Sequence, residues 1–286
     1  MPRHQAAAAN EYPLEAATAA DIEMIEAEAW SELQLGAPHD FQDRCGISVQ
    51  QVAGGVLLIA SQSPVLEINR AIGLGFATPL TQKQLDAVIR AYMKAGVGRF
   101  VIQWSPAARP AEVPKWLTDR GFTLLSRIAK VSRNLAALPA APPVHPGLVV
   151  AEIGPDDAEL YEQTVAAPLG VPDGLGAGIR STVGHPGWRY YLVRDGTRPI
   201  AGAALYVRGR IGWFGLGATI ESDRRRGAQS ALLARRLIDA AADGCSWVTA
   251  DTLAETADRP NPSYRNMGRA GFTTVYERPN YLLDLK

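Results

Sequence analysis

The chain has 286 residues, 47% of them hydrophobic and 20% charged, and its 29 Lys plus Arg balance 29 Asp plus Glu. That balance removes the long-range basic field on which nucleic-acid binding draws, and no run reaches the roughly 18 apolar residues of a membrane span. Cys45 and Cys245 lie far apart without metal-ligand neighbours, which argues against a disulfide framework or a metal site and makes each a small buried hydrophobe.

The length is nearly twice the ~150 residues of an average domain, so two domains are expected. The opening stretch "MPRHQAAAANEYP" has neither a hydrophobic signal core nor an arginine-rich amphipathic pattern. A cytoplasmic location is the expectation.

In chain order, "ATAADIEMIEAEAW" sets a turn before an acidic helix start. A strand in "LEINRAIGLGFA" then runs into "TPLTQKQLDAVIRAYMKAG", whose helix opens Thr81-x-x-Gln84, a capping box that satisfies its own end groups. Gly73 and Gly75 read as bulge or packing glycines, since no helix follows them directly. "RGFTLLSRIAKVSRNL" closes this half as helix end, Gly-Phe-Thr and strand. The stretch "ALPAAPPVHPG", 137–147, carries four prolines, which forbid a regular ladder and favour a tether. The expected units are therefore 1–136 and 148–286.

The second half begins with the strand "LVVAEI", a helix from about Pro155 to Ala167, and the glycine-rich passage "GVPDGLGAGIRSTVGHPG". Three strands follow, "WRYYLVRDG", "RPIAGAALYVRG" and "RIGWFGLGATI", divided by Asp195-Gly196 and Gly209 as in antiparallel hairpins. Trp188, Tyr190, Tyr191 and the "WFGLG" stretch are assigned to the core. A helix from about Gly227 to Asp243 stops at Gly244, and a strand "CSWVTADTL", a short helix in "NPSYRNMGRAG" and a closing strand from Phe272 complete the chain. A meander followed by helix crossovers predicts a mixed α/β sheet flanked by helices. The two halves start and end alike, which points to duplication of one unit.

One helix start is electrostatically odd. In "ESDRRRGAQSALL", Arg224, Arg225 and Arg226 crowd onto a helix end that already carries about half a positive charge and unpartnered N–H groups. A bound anion corrects this, and Gly227, lacking a β-carbon, lets the backbone approach phosphate oxygens. The alternative is a solvated basic turn capped by Asp223.

These residues carry a resemblance. "RRRGAQSALL" resembles the Arg/Gln-x-x-Gly-x-Gly/Ala signature of the GNAT (Gcn5-related N-acetyltransferase) superfamily, with Arg224 and Gly227 matching and Gln229 standing where Gly or Ala is usual. "NPSYRNMGRAGF" resembles the family's Asn-containing helix start that ends in Gly-Phe before the last strand. The chain is thereby similar to a tandem GNAT protein with a degenerate first copy, each copy a mostly antiparallel sheet flanked by helices.

The resemblance implies acetyl-CoA as cofactor and transfer of an acetyl group to a primary amine, with a small molecule preferred as acceptor. The amides of Arg225, Arg226, Gly227, Ala228, Gln229 and Ser230 are then expected to cradle the pyrophosphate, with added charge from Arg224 and Arg226. The strand end at Ala218 and Thr219 is expected to pair with the pantetheine arm. Asn261 either touches the cofactor or simply caps its helix ahead of Pro262. The glycine-rich passage with His185 is expected to form a flap over the acceptor. Met267 stands where the family often has a proton-donating tyrosine, and Tyr264, one helical turn earlier, is the nearest phenol. Asp251, with Thr252 beside it, and Glu221 are candidate bases. The rival expectation is a non-catalytic acyl-CoA-binding or partner-binding protein. Neither nucleic acid nor membrane is an expected partner, and the assembly is expected to be a monomer acting as a pseudo-dimer of halves, or a homodimer.

Overall fold

The computed structural model describes residues 17–138, 147–170 and 176–285. The first half contains α1 (Ala19–Leu35), α2 (His39–Cys45), β1 (Ile47–Val52), β2 (Gly55–Ala60), β3 (Arg70–Ile72), α3 (Gln82–Ala95), β4 (Arg99–Gln103), α4 (Val113–Asp119) and β5 (Thr123–Asn134). The second contains β6 (Leu148–Ile153), α5 (Ala158–Leu169), α6 (Gly176–Thr182), β7 (Trp188–Asp195), β8 (Arg198–Arg208), β9 (Ile211–Thr219), α7 (Ala228–Ala242), β10 (Trp247–Leu253), α8 (Pro262–Arg269) and β11 (Thr273–Asp284). No helix among the described residues is long and apolar enough to cross a membrane.

Local chemistry sets most of these boundaries. Thr81 and Gln84 form the expected capping box on α3, and Thr18 with Asp21 forms a second on α1. The β6–β7–β8–β9 meander is antiparallel throughout, as the hairpin signals predict. Trp188, Tyr190, Tyr191, Trp213 and Phe214 are buried in it.

All eleven strands join one sheet in the order β1-β2-β3-β4-β11-β5-β10-β9-β8-β7-β6. The closing strands of the two halves are interleaved. β5 of the first half pairs with β10 of the second, placing Lys130 opposite Asp251, while β11 of the second half pairs with β4 of the first, placing Asn280 opposite Gln103. The cores mix accordingly. Ala129 and Val131 of β5 pack with Leu232 and Leu237 of α7, and Ile22, Ile25 and Leu33 of α1 pack with Tyr161, Trp188 and Trp213. Most of the expected tether, 139–146, lies outside the described residues.

The glycine-rich passage departs from expectation. Residues 171–175 lie outside the described residues, but its next seven residues form α6, packed against α1 and α5, rather than an open flap. Gly178 permits this, since a β-carbon there would lie 2.3 Å from the Leu33 carbonyl oxygen. His185 sits in the exposed turn after α6, where its N–H donates to the Thr182 carbonyl.

Helix α1 is fastened to the centre of the sheet by buried charge. Glu26 accepts from Lys130 at 2.7 Å and from Arg278 at 2.6 and 3.1 Å, and Arg70 stands 3.9 Å away. Glu23 accepts from Arg278 at 2.7 Å and from the Tyr276 hydroxyl at 2.8 Å. Asp251, 3.7 Å from Lys130, extends the cluster to β10 and balances its three cations with a third acid. Burial alone would raise the Glu26 carboxyl, but Arg278, Lys130 and Arg70 together hold it well below the carboxylate range.

Candidate functional site

Strand β9 is where the second half opens. Its parallel pairing with β10 runs only from Ile211 opposite Trp247 to Phe214 opposite Ala250. On its other side the register with β8 jumps, from Ala204 opposite Gly215 to Gly202 opposite Ala218. Leu216 and Gly217 therefore face Ala203 alone, a bulge in which Leu216 takes a φ of +51°. The Tyr161 hydroxyl donates to the Leu216 carbonyl at 2.8 Å, and Arg236 Nη1 donates to the Ala204 carbonyl at 2.9 Å. Beyond Phe214, the β9 edge that faced β10 has no strand partner among the described residues, and Gly217 is exposed within it.

The strand leads directly to the arginine-glycine turn. Gly227 is the N-cap of α7 at φ +85°, and no side chain caps the helix. Asp223 does not serve as the cap. Its buried carboxylate accepts from Arg198 at 2.8 and 2.7 Å and from Arg226 at 2.9 Å, and the Arg198 bonds, followed by those from Ser222 and Arg226, pull it down to about 2. Arg225 takes a φ of +66° and Gly227 one of +85°, so two left-handed residues separated by one lie at the entry to α7, in the kind of turn from which anion-binding nests are built.

The three arginines are not equivalent. Arg226 is shared between Asp223 and Asp195, the latter at 2.8 Å, so its charge is largely compensated inside the protein. Arg224 is exposed, 3.6 Å from Glu221, and Arg225 is exposed with no ion pair among the described residues. Ala228 is buried at the first helical position, with Ser230 two residues on. Gln229 donates from Nε2 to Thr219 Oγ1 at 2.9 Å, tying the first turn of α7 to the end of β9 just after Ala218. The sequence gives no signal of that tie, because Thr219 lies ten positions earlier.

The predicted catalytic residues are dispersed. Asp251 lies one residue past the last residue of β10 that pairs with β9, a quarter exposed, and accepts from Trp213 Nε1 at 3.0 Å. Glu221 is on the exposed turn after β9, at the arginine end and away from Asp251. The Tyr264 hydroxyl meets Thr274 Oγ1 of β11 at 2.8 Å. Since β11 is two strands beyond β10, this places that hydroxyl about 10 Å from the opening, at ~4.8 Å per strand. Asn261 caps α8 by accepting from Ser263 and Tyr264 N–H groups, and its Nδ2 donates to Thr252 Oγ1 at 2.9 Å and to the Leu253 carbonyl at 2.7 Å. Its side chain is thus committed to the helix start and the β10 end.

The equivalent place in the first half is closed by the chain itself. β3 and β4 pair only at Arg70 opposite Val101 and Ala71 opposite Ile102, and beyond them Arg109 N–H donates to the Gly75 carbonyl at 3.1 Å while its carbonyl accepts from Leu80 N–H at 2.8 Å. The buried Trp104 ring would lie 2.7 Å from a β-carbon on Gly75, so that glycine is a packing residue. α3 has its ends satisfied by Thr81 and Gln84.

No family sequence model matches the chain, and no curated protein matches it in sequence. Its structure is similar to solved ones. A GCN5-related N-acetyltransferase from Kribbella flavida superposes with a TM-score of 0.62 at 14% identity, covering 91% of this chain and 94% of that one. A tandem GNAT protein from the clavulanic acid biosynthesis pathway gives 0.60 at 12% identity, covering 93% and 94%. A GCN5-related N-acetyltransferase from Sphaerobacter thermophilus gives 0.59 at 16% identity, covering 76% and 72%. At such identities the likeness is one of architecture, and it extends over both halves: the chain has the tandem GNAT fold.

Proposed function

We propose that the unit 148–286 binds an acyl-CoA, with acetyl-CoA the donor implied by the sequence resemblance, and transfers the acyl group to a primary amine of a small molecule. The observation that carries this reading is a continuous one: a strand edge left open from the β9 bulge onward, ending at a helix start that no side chain caps. The unit 1–136 is then a degenerate copy, joined through 137–147 and closed at both corresponding places.

In this reading the amides from Arg225 to Ser230 hold the pyrophosphate, with exposed Arg224 and Arg225 adding charge, that of Arg225 free of any ion pair among the described residues. The free edge through Ala218 and Thr219 pairs with the amides of the pantetheine arm. When bound, the cofactor supplies a thioester to be attacked. Asp251, fixed by Trp213 and Lys130 at the inner end of the opening, is the carboxylate placed to take a proton from the incoming ammonium, or to orient it. Glu221 lies too far along β9 for that task, and Tyr264 too far across the sheet to protonate a leaving thiolate, which leaves that proton to water. The interleaved β5 and β11 already pair the two halves within one chain, which favours a monomer, and the expected setting is the cytoplasm.

The distance of Tyr264 and the presence of Met267, partly buried against the core, at the place of the donor also favour a second reading, an acyl-CoA binder without chemistry. Thiol release from acetyl-CoA over a panel of small amines separates the two. Amine-dependent release supports transfer, whereas a thioester that binds and stays intact with every amine supports the binder.

A further inference from the structure

Arg236 is a buried cation with no counter-ion among the described residues. It lies nine residues beyond Gly227 on α7, about 13 Å along the helix axis at ~1.5 Å per residue. Its side chain lies against the β9 bulge, and the residue is only 3% exposed. Nε donates to the Leu232 carbonyl at 3.3 Å, Nη1 donates to the Ala204 carbonyl at 2.9 Å, and the guanidinium carbon stands 4.4 Å from the centre of the Phe214 ring. Among the described residues Nη2 has no acceptor and no carboxylate pairs with the group. The other buried cations among the described residues, Lys130, Arg278 and Arg70, each lie within 4.0 Å of a carboxylate. Burial pulls Arg236 down to about 10, so it remains charged at neutral pH.

The free nitrogen is turned toward the opening. A β-carbon built on Gly217 would lie 4.0 Å from Nη2, 3.8 Å from Gln229 Oε1 and 3.7 Å from the Ala203 methyl. The guanidinium thus lies directly behind the exposed Gly217 of the bulge, beside Gln229 and Ala203. An isolated buried charge is costly unless a partner arrives. A pantetheine carbonyl or an acetyl group is neutral and leaves the charge uncompensated, and the cofactor phosphates belong at the far end of the helix.

We infer that the acyl group carried into this opening ends in a carboxylate, as in malonyl or succinyl thioesters, and that Arg236 is the cation that receives it. The inference rests on the CoA-binding reading and specifies its acyl end. Gly217 is the aperture and Gln229 its polar rim.

Calorimetric titration of the whole chain with acetyl-CoA, malonyl-CoA and succinyl-CoA tests it. At least one dicarboxylic ester is expected to bind about ten-fold or more tightly than acetyl-CoA, as one charge-assisted hydrogen bond suffices to supply. Arg236→Met should bring that ratio to about one. Because that change also strands the Ala204 carbonyl, Gly217→Ala provides the second variant. Its β-carbon meets neighbours only at ordinary contact distances and fills the space before Nη2, and it should likewise erase the preference. Equal binding of the three esters would overturn the inference while leaving the CoA site standing, and a preference that survives in Gly217→Ala would overturn the role given to Arg236. Failure of every ester to bind would overturn both readings.

Discussion

Replacing Glu26 by glutamine removes one acid from the cluster beneath α1 and leaves Arg278, Lys130 and Arg70 facing only Glu23 and Asp251. Lys130 and Arg278 touch Glu26 at 2.7 and 2.6 Å, and both cations are fully buried. Breaking a buried pair from one side costs about 3–5 kcal/mol, because the abandoned cation stays desolvated. Set against the roughly 5–15 kcal/mol that stabilises an ordinary fold, this is a large fraction. At about 2–3 °C per kcal/mol for a chain of this size, the melting temperature should fall by roughly 6–15 °C at pH 7. Urea unfolding of wild type, Glu26→Gln and Glu26→Gln with Lys130→Met measures the effect, and the double variant should lose less than the single one because its charges balance again. The pH dependence follows in sign. The folded Glu26 carboxyl is depressed below its ordinary 4.5, so its contribution is complete above about that pH and disappears as pH falls below it, where the variant and wild-type curves should converge. A Glu26→Gln protein within about 1 kcal/mol of wild type at pH 7 would refute the reasoning.

Tyr264→Phe should leave turnover within a few-fold of wild type in the thiol-release assay, since its hydroxyl is bonded to Thr274 far from the opening. A loss of ~100-fold, the usual size of a missing general acid, would restore it as the proton donor. Asp251→Asn should lower turnover by ~100-fold in the same assay, whereas Glu221→Gln, on the outer turn, should keep wild-type turnover. Thr81→Ala should lower stability by about 1 kcal/mol through loss of the α3 cap and leave CoA affinity unchanged, as read by paired melting and calorimetry.

What the sequence made legible was local. The α3 cap, the hairpins at Asp195-Gly196 and Gly209, and the extent of α7 each follow from a few neighbouring residues, and each is present. The interleaving of β5 and β11 is not local, for nothing in either strand states which strand lies beside it. The buried cluster is hidden for a related reason. Lys130 and Arg278 sit at alternating positions that read as the solvent face of a strand, and only α1, more than a hundred positions away, turns that face into an interior. Asp223 illustrates a third limit: its place four residues before Gly227 suggests a cap, but Arg198, across the sheet, claims its carboxylate. Arg236 follows the same pattern, since one arginine in a helix of this composition reads as exposed until the bulge opposite it is known.

The anion site at Gly227 is the centre of the account, and titration of the intact chain with CoA tests it most directly. Wild type should saturate at one CoA per chain, because the first-half opening is filled by Trp104 and the Gly75–Arg109 pairing. A folded Gly227→Val protein should lose at least about 100-fold in affinity, as expected when a β-carbon denies the phosphates two charge-assisted bonds of roughly 1.5–3 kcal/mol each. Two equivalent sites per chain, or unchanged CoA affinity in folded Gly227→Val, would contradict it.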